Sequence, residues 1–430
     1  MKFENVLAEV NGFGRFQIRT ILLLVIPRMT LPFHFLLNNF IAAVPSHHCD
    51  ISPLDDGDLF RNLSELEKLV VSIPAQQDGS SHSCQMFAEP QYHLVWNGTN
   101  STDPLKIPCT NGWWYDNTTF KSTLASQWDL VCDKKSMNRA TATIFFMGVM
   151  LGAAIFGYLS DRFGRKRTLL VSYIATTTFG FASAFSYNFP MFVAMRFLTG
   201  VGISGISIVS IVLCVEWVDI KHRTYVGVLM SLDWSFSTVV LPALAYFVND
   251  WRSLTATVTA PLLAAMITWR WLPESARWLI STGKVDRAHF YLHQCATVNH
   301  REDFMADLKP EVLSKVILVE DENRKYSYVD LVKTPRMRRL ALLTGIVWQN
   351  GLGYSSFMAR IGVSVSPLMM ILEETWIHLP NTIFSAVAFI AGLSASFLPE
   401  TRNIRLPETI EDVEQKRRRS IPTSDEKSAS

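Results

Sequence analysis

Gly157-Tyr-Leu-Ser-Asp-Arg-Phe-Gly-Arg-Lys-Arg167 decides how the rest of this chain is read. It carries five charges in eleven residues, yet it lies between two apolar runs long enough to cross a bilayer. Two spans joined by so short a basic link must turn back on each other, with the link on the cytoplasmic side. Gly157 and Gly164 suit close backbone approach and a sharp turn. Asp161 can pair with a nearby arginine or sit at the N-terminus of the next helix, where negative charge is favoured.

The surrounding composition agrees with a membrane chain. Of 430 residues, 49% are hydrophobic and 18% charged, which is apolar for a soluble domain. The net charge of +2 says little, but its distribution says more. Basic clusters at Arg15/Arg19, Arg162–Arg167, Lys221–Arg223, Arg336–Arg339 and Lys416–Arg419 all flank apolar runs, as cytoplasmic ends do. They are too short and too widely separated to form a nucleic-acid surface, so the expected partner is the lipid bilayer. The first apolar run begins near Phe16 and has no small-residue cleavage site before Pro45, which predicts an uncleaved first span.

Four of the six cysteines, Cys49, Cys84, Cys109 and Cys132, fall in the polar segment 45–137. The same segment holds four Asn-x-Ser/Thr sites, at Asn62, Asn97, Asn100 and Asn117. Both signals point to an oxidising, glycosylating compartment and hence to an external loop. Four cysteines permit three pairings, all open at this stage. Cys214 and Cys295 read as free thiols.

Runs of spanning length occur near 16–44, 138–160, 168–187, 190–214, 224–247 and 254–272. The expected organisation is a cytoplasmic N-terminus and first span (1–44), an external loop (45–137), spans two to six (138–272) and a cytoplasmic central loop (273–339). A hybrid run and last span (340–398) and a cytoplasmic tail (399–430) complete it. Leu340 to Leu372 is anomalous, because 33 residues of helix would measure roughly 50 Å against a hydrocarbon core of about 30 Å. Leu272-Pro-Glu-Ser-Ala-Arg277 after the sixth run and Leu398-Pro-Glu-Thr-Arg402 after the last read as traces of a duplicated architecture.

The 157–167 stretch resembles the signature loop between spans 2 and 3 of the major facilitator superfamily. Glu216 and Arg223, seven residues apart, fit the acid and arginine that close span 4 there. Pro273-Glu-Ser-Ala-Arg-Trp-Leu279, Gly12-Phe-Gly-Arg-Phe-Gln17, Phe40-Ile-Ala-Ala-Val-Pro-Ser-His-His-Cys49 and Ser126-Gln-Trp-Asp-Leu-Val-Cys132 resemble blocks of the organic cation/anion transporter family, in its organic anion branch. The resemblance implies an all-α membrane protein: a major facilitator-type helical bundle. Gln349-Asn-Gly-Leu-Gly-Tyr-Ser-Ser-Phe-Met-Ala-Arg-Ile-Gly362 resembles the start of that family's span 11, directly after the start of its span 7. The expected product has a truncated second half and about eight transmembrane helices, with both termini cytoplasmic, in the plasma membrane.

No enzyme constellation, phosphate loop or metal-ligand spacing is present in the sequence, and no cofactor is expected. His47-His48 reads as a solvated pair beside Cys49. The resemblance implies a small organic anion as substrate, and oligomers with full-length relatives as an alternative role. Arg360 is the sharpest binding candidate, because a guanidinium within an apolar stretch needs an anionic partner and can hold both oxygens of a carboxylate. Its competing reading is a helix-end arginine reaching for water. Ser356 lies one helical turn before it. Trp348 and Trp234 match cavity aromatics, and His34 and Asn39 match polar positions of span 1. Gly157, Asp161, Arg162, Gly164, Arg165, Glu216, Arg223, Glu274 and Arg277 are the expected conformational-switch residues. Asp233, an acid inside span 5, calls for a base that the sequence does not identify.

Overall fold

The computed structural model describes residues 3–55, 57–75, 81–96 and 104–303, and positions 310, 313, 382, 385 and 386. Trp348, Ser356 and Arg360, the sites at Asn97 and Asn100, and nearly all of 340–398 and 399–430 lie outside the described residues.

A short amphipathic helix α1 (Phe3–Glu9) precedes α2 (Arg15–Leu36), which continues through a turn to Ile41. The start of α2 is fixed by Gln17, whose side-chain oxygen accepts the Gly14 N–H at 3.0 Å. The chain then leaves the bundle and builds a long loop around Cys49, Leu54, Phe60, Leu63, Val71 and Met86. Strand β1 (His47–Cys49) pairs antiparallel with β4 (Trp113–Tyr115), and β2 (Gln85–Phe87) with β3 (Lys106–Pro108). Within this loop, α3 (Glu65–Ser72) begins at a Ser-x-x-Glu capping box, Ser64 to Glu67. The sequence leaves three cysteine pairings open, and the structure selects Cys49–Cys109 and Cys84–Cys132. Cys132 stands just before the next long helix, so the second bridge ties the loop to the bundle. After α4 (Leu124–Trp128), Trp128 packs on Phe189, Phe192 and Trp251, anchoring the loop a second time.

Four long helices follow: α5 (Lys135–Phe163), α6 (Arg165–Ala184), α7 (Phe189–Glu216) and α8 (Arg223–Phe247). The expected sixth span is two pieces, α9 (Trp251–Thr259) and α10 (Pro261–Thr268), because Pro261 cannot donate to the helical ladder. Among the described residues, four stretches are long and apolar enough to cross a membrane: Arg15–Ile41, Cys132–Phe163, Phe189–Glu216 and Ile220–Phe247. Helix α6, expected near 168–187, is too polar to qualify alone. Three of its hydroxyls, on Ser172, Thr176 and Ser183, each donate to a carbonyl of α6 itself, and that of Thr168 to the Leu159 carbonyl of α5. Its polar face is buried against α7 and α9.

Helices α5 and α7 approach at backbone distance. A Cβ on Gly148 or Gly152 would strike the carbonyls of Phe197 or Val201, and one on Gly200 that of Phe145. Small residues substitute backbone packing for a hydrophobic driving force that lipid does not supply. Beyond α10 the chain forms α11 (Ala276–Ser281) and α12 (Val285–Val298), which pack with α1 under the bundle.

Asn62 and Asn117 are exposed on the loop. Enzymatic deglycosylation is expected to lower the apparent mass of the wild-type chain. Substituting Asn62, Asn97, Asn100 and Asn117 together is expected to abolish that shift. A shift that persists in the fourfold variant would place the loop on the wrong side.

Candidate functional site

Three layers of charge lie along the bundle, one at the turn between α5 and α6 and two inside it. The first grows from the turn between α5 and α6. Gly164 sits there at φ +98°, and a Cβ would meet Glu274 and Trp278, so only glycine fits. The turn aims Arg165 at the end of α7: its Nε and Nη2 donate to the two carboxylate oxygens of Glu216 at 3.0 and 2.8 Å. Nη2 also lies 3.1 Å from Asp161, and Nη1 donates to the Ser160 carbonyl at 2.9 Å. Glu274 caps α6 from outside. Its Oε1 accepts the backbone N–H groups of Arg165, Lys166 and Ser275 at 3.0, 3.1 and 2.9 Å. A carboxylate there also meets the positive end of the helix dipole. Burial nevertheless pushes the Glu274 carboxyl above the usual carboxylate range, against the pull of those N–H groups and of Arg165. Trp278 Nε1 donates to the Asp161 carbonyl and Trp269 Nε1 to that of Lys166, both at 2.7 Å.

Most expected switch residues therefore converge, with differences of detail. Arg162 turns outward to the Tyr158 hydroxyl at 3.1 Å. Gly157 lends its carbonyl to Ser160 within α5. Arg223 does not reach Glu216, which Arg165 occupies; its Nε is buried without a hydrogen-bond partner among the described residues. Arg277 is half-buried at the start of α11.

The second layer gives Asp233 the base that the sequence left unnamed. Arg28 of α2 donates through Nε to Asp233 Oδ2 at 2.7 Å and through Nη2 to Oδ1 at 3.4 Å. Its remaining donors reach the Ser210 hydroxyl of α7 at 3.3 Å and the Met230 carbonyl of α8 at 2.9 Å. The pair is almost fully enclosed, with side chains 8% and 3% exposed.

In the third layer, Arg196 of α7 donates to His34 Nδ1 at 3.2 Å and to the His34 carbonyl at 3.3 Å, while its guanidinium lies 4.5 Å from the centre of the Phe145 ring. His34 is fully buried, its Nε2 3.5 Å from the Thr259 hydroxyl. It thus stands behind the face of the bundle. Asn39 is exposed in the turn after α2. Trp234 is 43% exposed and meets Phe35 edge-on, ring centres 5.7 Å apart. Phe35 also contacts Phe145 and Phe146.

Residues 86–401 match the family described as sugar (and other) transporter. The chain is 33% identical to solute carrier family 22 member 7 of Mus musculus, covering 97% of this chain and 98% of the relative. It is 35% identical to member 7 of Homo sapiens, with 99% and 98% covered. The chain belongs to solute carrier family 22. Member 6 of Bos taurus is 30% identical, with 97% and 95% covered. A solved major facilitator structure, the proton:xylose symporter XylE, superposes with a TM-score of 0.50 over 88% of this chain and 68% of that one, at 15% identity, a likeness of fold. This family 22 chain is therefore a multi-pass membrane transporter of major facilitator fold, and its relatives are transporters rather than enzymes.

The alignments carry one further fact. About 420 residues of this chain face 536 aligned positions in the Mus musculus relative, so roughly a hundred or more positions inside the relative have no counterpart here.

Sequence reasoning missed Arg28, Arg196 and Asn299. Asn299, just past α12, donates to the Val10 and Asn11 carbonyls and accepts the Phe16 N–H at 3.0 Å, fastening the end of α12 to the N-terminal segment. A charge inside an apolar run was the available signal for the two arginines.

Proposed function

We propose that this chain moves carboxylate-bearing organic anions across the plasma membrane by facilitated exchange, alternating access without ATP, with both termini cytoplasmic. The observation that supports the reading best is end-to-end relatedness to family 22 members 7 and 6, together with motifs that resemble the organic anion branch of the family. The charge cluster at the cytoplasmic end fits the mechanism. Arg165, Glu216, Asp161 and Glu274 hold α5, α6, α7 and the start of α11 together through contacts that are breakable, as rocking of two halves requires. Arg360, Ser356, Trp348 and Trp234 supply the binding groups in this reading. Arg360 fixes the carboxylate and the rings take the apolar body of the solute.

A second reading rests on the missing positions. Most of a seventh span and spans eight to ten would be absent, with the join near Trp348/Gln349, leaving about eight spans. A cavity with one complete wall is hard to seal alternately, so the alternative is a non-transporting chain that associates with full-length relatives or is degraded. Uptake of a labelled aromatic carboxylate by oocytes, compared with a full-length relative at equal surface abundance, separates the two. The first reading expects saturable uptake above water-injected cells, lost on Arg165→Ala. Background flux with normal surface abundance favours the second.

A further inference from the structure

His47, Cys84 and Cys132 are far apart in the sequence, but β1, the residue before β2 and the segment before α5 bring them together. One ring nitrogen of His47 and the two sulfurs all lie within 4.8 Å of one another. The pairing of β1 with β4 sets His47 beside Tyr115, ring centres 5.7 Å apart, and the Tyr115 hydroxyl donates to Asp129 at 3.0 Å. His47 Nδ1 lies 2.9 Å from the Pro45 carbonyl, a contact that requires the N–H there and leaves the lone pair on Nε2. That is the tautomer a metal ion needs, with the ring fixed by its other nitrogen. The two sulfurs are joined as a disulfide. His47, Cys84 and Cys132 are all half-buried, whereas Cys49 of the other bridge is fully buried. Cys132 is also held at φ +51°, a left-handed conformation disfavoured for a side chain of its kind, and opening the bridge frees it to relax.

We propose that the Cys84–Cys132 bridge is a redox-gated zinc site: once it is reduced, the two thiolates and His47 hold one Zn²⁺. A small dithiol supplies the two electrons. Its thiolate attacks one sulfur of the bridge, its second thiol closes the mixed disulfide into a cyclic disulfide of the reductant, and Cys84 and Cys132 are released as thiols. Zn²⁺ then displaces the two thiol protons, forming two Zn–S bonds and one Zn–N bond. Bonds of about 2.3 Å to sulfur and about 2.0–2.1 Å to nitrogen set tetrahedral ligand atoms roughly 3.6–3.8 Å apart, within the 4.8 Å that already encloses all three. Two soft thiolates and an imidazole select a zinc-type ion over calcium or magnesium, which take oxygen ligands. The fourth position is open to water. The consequence is mechanical. Cys132 stands just before α5, so the ion replaces a covalent tie between loop and bundle with a coordinate one, which a chelator can release. The inference makes no use of the anion-transport reading.

The test is metal binding by the purified full chain in detergent, with Co²⁺ as a coloured stand-in for Zn²⁺. The chain is reduced with a phosphine, which leaves as its oxide, and is desalted without oxygen. Cys214 and Cys295 are thiols in both redox states, so the unreduced chain is the control. Reduced wild type is expected to bind one Co²⁺ with thiolate-to-cobalt charge-transfer absorption, bleached by an equivalent of Zn²⁺, and unreduced wild type to show none. His47→Ala leaves both bridges intact. It should weaken Zn²⁺ by more than about 100-fold, because it removes a ligand, and even an outer contact costs about 10–100-fold. His48→Ala, at the neighbouring ring stacked on Trp114, should leave the affinity unchanged. Cys84→Ser/Cys132→Ser should abolish the absorption after reduction; where that variant does not fold, the two histidine variants decide alone. Equal affinity in wild type and His47→Ala overturns the proposal, as does absorption that survives the double serine substitution. A reduced wild-type chain that aggregates or binds no Co²⁺ overturns it as well.

Discussion

Arg28→Met is expected to lower the amount of folded chain at the cell surface by more than tenfold, and Asp233→Leu to do the same. Each leaves the other charge buried alone near the middle of the 27-residue stretch Arg15–Ile41 or of α8. Breaking a buried ion pair by removing one partner costs about 3–5 kcal/mol, a large part of a typical stability of roughly 5–15 kcal/mol. The two-armed contact of Arg28 with Asp233, and its third and fourth donors on Ser210 and Met230, leave no spare partner to take over. The double variant Arg28→Met/Asp233→Leu should regain most of the lost abundance, since neither charge is then buried unpaired. Surface biotinylation with fluorescence size-exclusion of the four proteins measures this directly. Single variants as abundant and monodisperse as wild type would mean that water reaches the pair.

The hairpin at 157–167 and the cysteine-bridged loop could be read from sequence because their signals are local. Glycines suited to a sharp turn, charges crowded into one short link, and cysteines mixed with glycosylation sites each point to one environment. Arg28 and Asp233 could not be matched in the same way. They are 205 residues apart, and only the crossing of α2 with α8 and α7 brings them together. Asp233 was recognisable as a residue in need of a base, but the sequence holds several arginines beside apolar runs. Arg196 was overlooked because its partners, a histidine and an aromatic ring, announce nothing as a pair. His34 and Asn39 were both expected near the binding face. Helical phase along Arg15–Ile41 separates them, turning His34 inward to Arg196 and Thr259 and leaving Asn39 exposed in the short continuation after α2. The polarity of α6 misleads in the other direction, since hydroxyls bonded to their own helix cost little in an apolar setting.

Arg360→Ala is expected to reduce organic anion uptake by two orders of magnitude or more at unchanged surface abundance. A carboxylate that leaves water for a low-dielectric cavity loses its hydration and needs a fixed cation in exchange. Arg196 is taken up by His34 and the Phe145 ring, and Arg28 is already neutralised by Asp233. In the proposed reading the contact with the carboxylate therefore falls to Arg360. Removing such a partner costs about 3–5 kcal/mol, which is a factor of roughly 10²–10³ in affinity. Arg360→Lys restores the charge without the planar fork and should recover only part of the flux. The loss should appear in KM for carboxylates and much less for neutral solutes, whereas an arginine that merely reaches the cytoplasmic surface would alter neither. Where the chain itself carries no flux, the same substitution is read in a form that restores the positions present in its relatives. Flux that survives Arg360→Ala unchanged there would return Arg360 to the helix-end role.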